Sequence, residues 1–128
     1  MFLKKFINYS DKSNTMYTFE KLYDLSGLQD IHQDDDTFIR IIKDAFINHT
    51  PSDATKMLNA CHAEDWAQVS FLAHKLKSSI DILKIISIKD DIRIIESNAK
   101  LKTQLTGLPE LVQKVNIVIT MTAKQMNE

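Results

Sequence analysis

The sequence predicts an all-α protein, an antiparallel up-down-up-down four-helix bundle, and three observations support this prediction. Only two glycines and two prolines occur among 128 residues, and so few breakers favour long helices over many short strands. Apolar residues recur at spacings of three and four through most of the chain, which is the period of a helix with one buried face. The predicted connections are short, about 3–6 residues, so neighbouring helices are expected to run antiparallel.

The chain is interpreted as one domain over residues 18–128, preceded by a lead-in over residues 1–17 that is either mobile or a small packing element. A short helical turn is predicted within residues 19–28, with a stop near Gly27. The first long helix follows the acidic cluster at residues 34–36, because acidic side chains suit the positive end of a helix dipole. Its apolar stripe consists of Phe38, Ile41, Ile42, Ala45 and Phe46.

Residues 50–53 are predicted to end that helix and to begin a second one. Thr50 suits a cap, Pro51 suits the first helical position, and Asp53 suits the acidic position of a capping box. The stripe that follows consists of Ala54, Met57, Leu58 and Cys61. Asp65 is predicted to cap a third helix. The inner stripe of this third helix consists of Val69, Leu72, Ala73, Leu76, Ile80 and Leu83.

Two further helices are predicted in the last third of the chain. Residues 87–90 resemble another capping box, and the stripe behind it is Ile88, Ile92, Ile95 and Ala99. Gly107 is predicted to end that helix, and Pro109 to open the last one. The inner face of the last helix is Leu111, Val115, Ile119, Thr122 and Met126. Residues 115–120 are β-branched and also fit a strand, but no partner strand is evident, so a helix is predicted.

Charge and cysteine content disfavour several classes of function. Lys and Arg number 16 against 17 Asp and Glu, a balance that predicts neither nucleic-acid binding nor attachment to a membrane. With one cysteine, Cys61, no internal disulfide is possible, which favours a reduced, cytoplasmic location. The N-terminus lacks the apolar run of a signal peptide, and no stretch approaches the roughly 18 apolar residues of a membrane span. Neither glycine-rich phosphate-loop motif occurs, so no nucleotide or other cofactor is predicted.

His74 lies on the wrong side of the third predicted helix to belong to its core. At 100° per residue, with Leu76 at 0°, the stripe residues fall within about 60° and His74 falls at about 160°. An exposed histidine on a surface helix is usually only a polar residue. A phosphorylated histidine needs an exposed imidazole, a flat approach and a nearby cation. Lys77 supplies the cation, and the neighbours on this face are small: Ala67, Ser70 and Ser78.

The same residues carry a resemblance to a known family. The run Ala73-His74-Lys75-Leu76-Lys77-Ser78-Ser79 resembles the signature of histidine-containing phosphotransfer (HPt) domains, which is approximately A-H-x-L-K-G-S. The resemblance covers about residues 18–125, including Phe38 to Pro51 and Arg93 to Glu96. It implies a phosphorelay intermediate of two-component signalling. In such a protein His74 would accept a phosphoryl group from a receiver-domain aspartate and pass it to another receiver.

The resemblance also implies roles and partners. Lys77 would hold the phosphoryl oxygens. A receiver domain of a response regulator or hybrid histidine kinase would supply the aspartate and the magnesium ion. The protein would be a monomeric phosphocarrier with no metal and no kinase activity of its own. The surface expected to bind receivers consists of Ser70, Phe71, Lys75, Ser78, Asp81 and Glu96.

Ser78 departs from the family pattern, which has glycine at that position. Serine adds a methylene and a hydroxyl beside the imidazole. An alternative hypothesis is therefore an HPt-like module that binds receivers without efficient phosphotransfer. Lys84 also occupies a position where glycine is common, which we interpret as a helix that continues into its turn.

Other interpretations stay open at this stage. A small helical enzyme or metal protein is disfavoured, because Cys61 and His62 match no recognised zinc spacing and no set of titratable residues converges. Glu96 either helps to orient the histidine or belongs to a solvated helical face. Phe71 either is an exposed docking contact or packs against a neighbouring helix.

Overall fold

The computed structural model describes residues 20–31 and 36–128, which are mostly helical and contain no β-strand. A short helix α1 (Ser26–Ile31) precedes four long ones, α2 (Asp36–His62), α3 (Trp66–Ile82), α4 (Lys89–Leu101) and α5 (Leu108–Met126). Two 3₁₀ turns, Ile86–Ile88 and Leu105–Gly107, lead into α4 and α5. The all-α prediction is confirmed, including the helical state of residues 115–120. The lead-in predicted over residues 1–17 lies outside the described residues.

The break predicted at residues 50–53 is wrong, because α2 continues through Pro51 as one helix of 27 residues. A proline in a helix interior removes one hydrogen bond and clashes with the preceding turn, at a cost of about 3 kcal/mol or more. Burial on both sides of Pro51 offsets this cost: Thr50 and Asp53 are 4% and 8% exposed, and Ala54 is fully buried. Helical stability comes mainly from packing of the buried face, so packing overrides the local signal.

The two predicted capping interactions at α3 and α4 have different outcomes. Asp65 caps α3 as predicted, because its carboxylate accepts a hydrogen bond from the backbone N–H of Gln68 at 3.2 Å. The capping box predicted at residues 87–90 is wrong. The cap residue of α4 is Ile88, without a side-chain hydrogen bond. The Ser87 hydroxyl is buried and has no hydrogen-bond partner among the described residues.

The ends of α3 and α4 use left-handed residues that are not glycine. α4 ends at Leu101, well before Gly107, because Lys102 adopts a left-handed backbone with φ 55° and stops the helix. Lys84 follows α3 with φ 51°, so the expectation that the helix continues there is wrong. Pro109 lies in the first turn of α5, as predicted.

The segment before α1 also differs from its prediction. Residues 20–25 are not helical, and Gly27 lies in the first turn of α1 rather than at the end of a helix. The backbone N–H of Asp24 donates to the carbonyl of Leu83 at 2.8 Å. This contact with the turn after α3 is a tertiary interaction, which the local sequence could not indicate.

Burial confirms the predicted apolar stripes of α3 and α4 completely and that of α5 except for the half-buried Leu111. The stripe predicted for the start of α2 is wrong in part, because Ile41 is 59% exposed and Ala45 is also exposed. Since α2 is one continuous helix, its first half stays in phase with Met57 further along. Phe46 shares that face and is 3% exposed, whereas Ile41 and Ala45 fall off it.

Each of the four long helices packs against two others: α2 contacts α3 and α5, and α4 contacts the same two helices. The buried side chains of all four form one apolar core. Within residues 20–31 and 36–128, no helix is long and apolar enough to cross a membrane. This packing places α3 and α4 side by side, so that polar residues at their outer edges can meet.

Candidate functional site

His74 projects from the outer face of α3. Ala73 and Leu76 are 0% and 1% exposed, so the helical repeat turns His74 away from the core. Its side chain is 71% exposed, as the helical-wheel prediction requires. Ser70 and Ser78, one turn on either side, are small and leave the approach to the imidazole open along this helix.

Glu96 reaches His74 from the neighbouring helix α4. Its Oε2 atom lies 2.7 Å from Nδ1 of His74. A carboxylate only accepts hydrogen bonds, so this contact favours the imidazole state that carries a proton on Nδ1. In a neutral imidazole the free lone pair is then on Nε2, which has no hydrogen-bond partner among the described residues. Glu96 thus contacts the histidine and is 21% exposed, rather than lying on a fully solvated face.

The other carboxylate oxygen of Glu96 binds Lys77. The Nζ atom of Lys77 lies 2.8 Å from Oε1 of Glu96, and the Lys77 side chain is 29% exposed. The hydrogen bond from Lys77 lowers the pKa of Glu96, and the bond from His74 adds to this effect against the opposing effect of burial. The carboxylate is therefore ionised at neutral pH and serves both groups at once.

Further polar contacts continue along the same edge. Nη2 of Arg93 lies 2.7 Å from Oδ2 of Asp81, and this hydrogen bond lowers the pKa of Asp81. At the other end, the Ser70 hydroxyl donates to the backbone carbonyl of Glu96 at 3.2 Å. We define the α3–α4 seam as Ser70, His74, Lys77 and Asp81 on α3, with Arg93 and Glu96 on α4.

The remaining predicted site residues lie beside the seam. Phe71 is 62% exposed, so it is a free aromatic surface rather than a packed side chain. Lys75 extends the other way and pairs with Asp53 of α2 at 3.3 Å. Ser78 is exposed next to His74. The structure therefore brings five predicted residues into direct contacts along the seam. It leaves Phe71 and Ser78 exposed beside the seam and pairs Lys75 with α2.

Sequence reasoning missed the roles of two residues. Arg93 was part of the HPt resemblance but carried no role, and Asp53 was predicted as a capping residue rather than as the partner of Lys75. A signal for Arg93 does exist in the sequence, because it precedes Glu96 by three residues. This spacing puts both side chains on one edge of α4, beside the buried Ile92 and Ile95.

Neither a reactive cysteine nor a metal site finds support in the described ranges. Cys61 is 3% exposed, and its burial raises the pKa of the thiol, which suits a structural residue. Among the described residues, no group of three or more His, Cys, Asp or Glu could hold a metal ion. No family model matches the chain, and no curated protein or solved structure matches it either. The seam and the sequence motif around His74 are therefore the features that point to a function.

Proposed function

We propose that this protein is an HPt domain, a phosphorelay intermediate of two-component signalling that carries a phosphoryl group on Nε2 of His74. The main observation is that Nδ1 of His74 lies 2.7 Å from the Glu96 carboxylate while the His74 side chain stays 71% exposed. A nucleophilic histidine needs one nitrogen oriented by a partner and the other free to attack. The resemblance of residues 73–79 to the HPt signature points to a receiver's aspartyl phosphate as the phosphoryl donor.

The imidazole keeps its Nδ1 proton throughout the transfer step. The lone pair of Nε2 attacks phosphorus, an N–P bond forms, and the P–O bond to the receiver aspartate breaks. The aspartate leaves with the bonding electrons as a carboxylate. The phosphorylated ring keeps its proton on Nδ1 and carries a positive charge, which the Glu96 carboxylate stabilises. Transfer to a second receiver reverses these changes, so the same residues serve both directions.

Lys77 is proposed to bind the oxygens of the transferring group. It lies one helical turn from His74, and its ammonium forms an ion pair with Glu96 in the structure. A phosphoryl group on His74 carries more negative charge than a carboxylate, so it would compete with Glu96 for the ammonium. The receiver would supply the magnesium ion, which leaves positioning and charge stabilisation to this chain.

The helix packing supports an HPt-like architecture. The four long helices contact one another in a closed ring, α2 with α3, α3 with α4, α4 with α5 and α5 with α2. The connections from α2 to α3, α3 to α4 and α4 to α5 are short, which favours antiparallel neighbours. We propose that α2–α5 form an antiparallel up-down-up-down four-helix bundle with α1 as an addition. A rigid helix of such a bundle would hold His74 in a fixed position.

Receivers are proposed to dock as single partners on the exposed face of α3 around His74, with this protein acting as a monomer. Phe71 offers an exposed apolar contact one turn before His74, and small residues keep the surface flat near the ring. Aromatic side chains often contribute most of the binding energy of an interface. The proposed docking surface consists of Ser70, Phe71, Lys75, Ser78, Asp81 and Glu96.

A transfer assay tests the proposal. Receiver domains charged with acetyl phosphate are incubated with the full chain, and we expect an acid-labile, base-stable label on this protein. His74→Gln should abolish the label. His62→Gln is the matched control, because His62 is also exposed but lies at the end of α2. A label that persists in His74→Gln would refute the assignment of the phosphorylated residue.

The alternative is a receiver-binding module without efficient transfer. Two observations favour it: Ser78 is exposed beside the ring, and the ammonium of Lys77 is already paired with Glu96 at 2.8 Å. This hypothesis predicts a receiver complex in which the wild type acquires little label. Ser78→Gly should then increase transfer if the serine side chain obstructs the approach. Equal transfer rates in the wild type and Ser78→Gly would exclude that obstruction.

A further inference from the structure

Four charged residues of the α3–α4 seam form a square. Lys77 and Asp81 lie one turn apart on α3, and Arg93 and Glu96 lie one turn apart on α4. The ion pairs cross between the helices, from Lys77 to Glu96 at 2.8 Å and from Arg93 to Asp81 at 2.7 Å. Each charge therefore has an opposite charge both across the seam and along its own helix.

The square permits a second pairing. Residues three or four apart on a helix are neighbours, so Lys77 is within reach of Asp81, and Arg93 is within reach of Glu96. Arg93 is the main cause of the lowered pKa of Asp81, and the charges of Lys89 and then Lys77 add to it, so Lys77 already interacts with this carboxylate. In this second pairing, Lys77 would leave Glu96, and the guanidinium of Arg93 would compete with His74 for the same carboxylate.

Arg93 is held in the crossing pair by two contacts. Its Nη2 atom donates to Asp81 at 2.7 Å, and its Nη1 atom donates to the backbone carbonyl of Lys89 at 2.9 Å. Lys89 lies toward the N-terminus of α4, whereas Glu96 lies in the opposite direction along the helix. Both contacts therefore keep the guanidinium away from Glu96.

We propose that Asp81 and Arg93 are positioning residues for His74. Because Arg93 occupies Asp81, Asp81 does not attract Lys77. Because Asp81 holds the guanidinium, Arg93 does not bind Glu96. The Glu96 carboxylate is then shared by His74 and Lys77 alone. Neither positioning residue touches the reacting nitrogen, and both act through Glu96 and Lys77. The effect on transfer rests on the proposed function, whereas the effect on the His74 hydrogen bond does not.

Single variants of the pair should change the His74 hydrogen bond in opposite directions. In Arg93→Met, Asp81 loses its partner and attracts Lys77, so Glu96 becomes a stronger acceptor for Nδ1. In Asp81→Asn, the guanidinium is released toward Glu96, so the bond to Nδ1 weakens. In the double variant neither change occurs, and Lys77 stays on Glu96.

Imidazole NMR of the ¹⁵N-labelled full chain measures this bond directly, because the Nδ1-bound proton moves to lower field as the bond strengthens. We expect a lower-field signal in Arg93→Met, a higher-field signal in Asp81→Asn, and a signal near the wild-type position in the double variant. Lys114→Met is the matched control, since it removes the Lys114–Asp91 ion pair of 2.8 Å that joins α4 to α5. Unchanged signals in both single variants, or a double variant perturbed like a single one, would overturn the proposal.

The same variants, assayed for transfer from a receiver charged with acetyl phosphate, separate this inference from the proposed function. At saturating receiver concentration, where a weaker docking contact of Asp81 no longer limits the rate, each single variant should transfer about 3- to 10-fold more slowly. The double variant should then recover to within about twofold of the wild-type rate, as expected for coupled neighbours. Shifted NMR signals with unchanged transfer rates would refute the link to catalysis. If the wild type itself accepts no label, the proposed function fails, while opposite NMR shifts would still support the positioning of Glu96.

Discussion

Replacement of Glu96 by glutamine perturbs the central contact of the proposed site with the smallest change in shape. The amide has nearly the size of the carboxylate, but it is neutral and presents a donor as well as an acceptor. His74 and Lys77 each lose a charged partner, at 2.7 Å and 2.8 Å. We expect the phosphorylated, positively charged imidazole to be the species most affected. The phosphotransfer equilibrium should therefore shift back toward the receiver.

The exposure of the pair determines the size of this effect. Two unit charges about 4 Å apart interact by about 1 kcal/mol in water and by about 4 kcal/mol at the effective dielectric near a protein surface. His74 is 71% exposed, which places the pair near the water limit, and Glu96 at 21% exposure raises the value somewhat. We therefore expect a loss of about 1–2 kcal/mol, which corresponds to about 5- to 30-fold in the transfer equilibrium.

The assay measures the partition of label between a limiting phosphorylated receiver and an excess of wild type or Glu96→Gln at equilibrium. Thermal unfolding of the same samples should change little, because exposed ion pairs contribute about 0.2–1 kcal/mol. Glu110→Gln is the control, since Glu110 is an exposed carboxylate in the first turn of α5. A folded Glu96→Gln protein with the wild-type partition would refute the role of this carboxylate.

Three further outcomes test the electrostatics and the packing. The pKa of Glu96 is lowered on folding, so its stabilising effect is present above the ordinary value of about 4.5 and is lost as the pH falls through the lowered value. In urea unfolding, wild type should lose more stability than Glu96→Gln over that acid range, and parallel pH profiles would contradict this linkage. Ile95→Ala leaves a cavity at a fully buried position and should lower the free energy of unfolding by about 2–5 kcal/mol. Ile94 is 43% exposed, and Ile94→Ala should change the free energy of unfolding by less than about 0.5 kcal/mol. Similar losses in the two variants would show that the buried face of α4 is misassigned. Lys84→Gly should raise the free energy of unfolding by about 0.5–1 kcal/mol, because glycine adopts the left-handed φ of 51° without strain. A decrease would show that the Lys84 side chain, which lies close to Gly27, contributes more than the strain costs.

The sequence predicted the buried faces of α3 and α4 completely, because their apolar residues are dense and regular. All predicted inner residues between Val69 and Leu83 and between Ile88 and Ala99 are buried. A helix with one continuous apolar face can satisfy that face only against a core, so periodicity and burial coincide. At the start of α2 the apolar residues are spread around the helix and fit more than one buried face. Ile41 belongs to one such local face, but the complete helix buries a different one.

Breaks between elements were predicted less well, because local signals are weaker than tertiary packing. Pro51 suggested a helix start, yet burial of Thr50 and Ala54 keeps α2 continuous through it. Gly107 suggested the end of α4, yet Lys102 ends the helix earlier with a left-handed backbone. A lysine in that conformation has no sequence signature, so the helix end could not be read from residue type.

The candidate site likewise has a part that the sequence predicts and a part that depends on tertiary packing. The position of His74 on an exposed face follows from one helix alone, and a helical wheel predicts it. The contact of Glu96 with His74 depends on the offset between α3 and α4 along the seam, which no single helix contains. This is why the sequence left two interpretations of Glu96, which the 2.7 Å contact with His74 in the folded structure distinguishes.

The seam therefore depends on the core for its geometry, although its own residues are partly solvated. Ser70, His74, Lys77 and Asp81 occupy one edge of α3, and all four contact residues of α4. A shift of α4 by one helical turn, about 5.4 Å, would move Glu96 beyond hydrogen-bond distance of Nδ1. Ile95 is fully buried in the core, and packing of such side chains holds neighbouring helices at a set offset. Conservative core substitutions that alter the offset between α3 and α4 should therefore change the His74 hydrogen bond even where the fold and the stability are preserved.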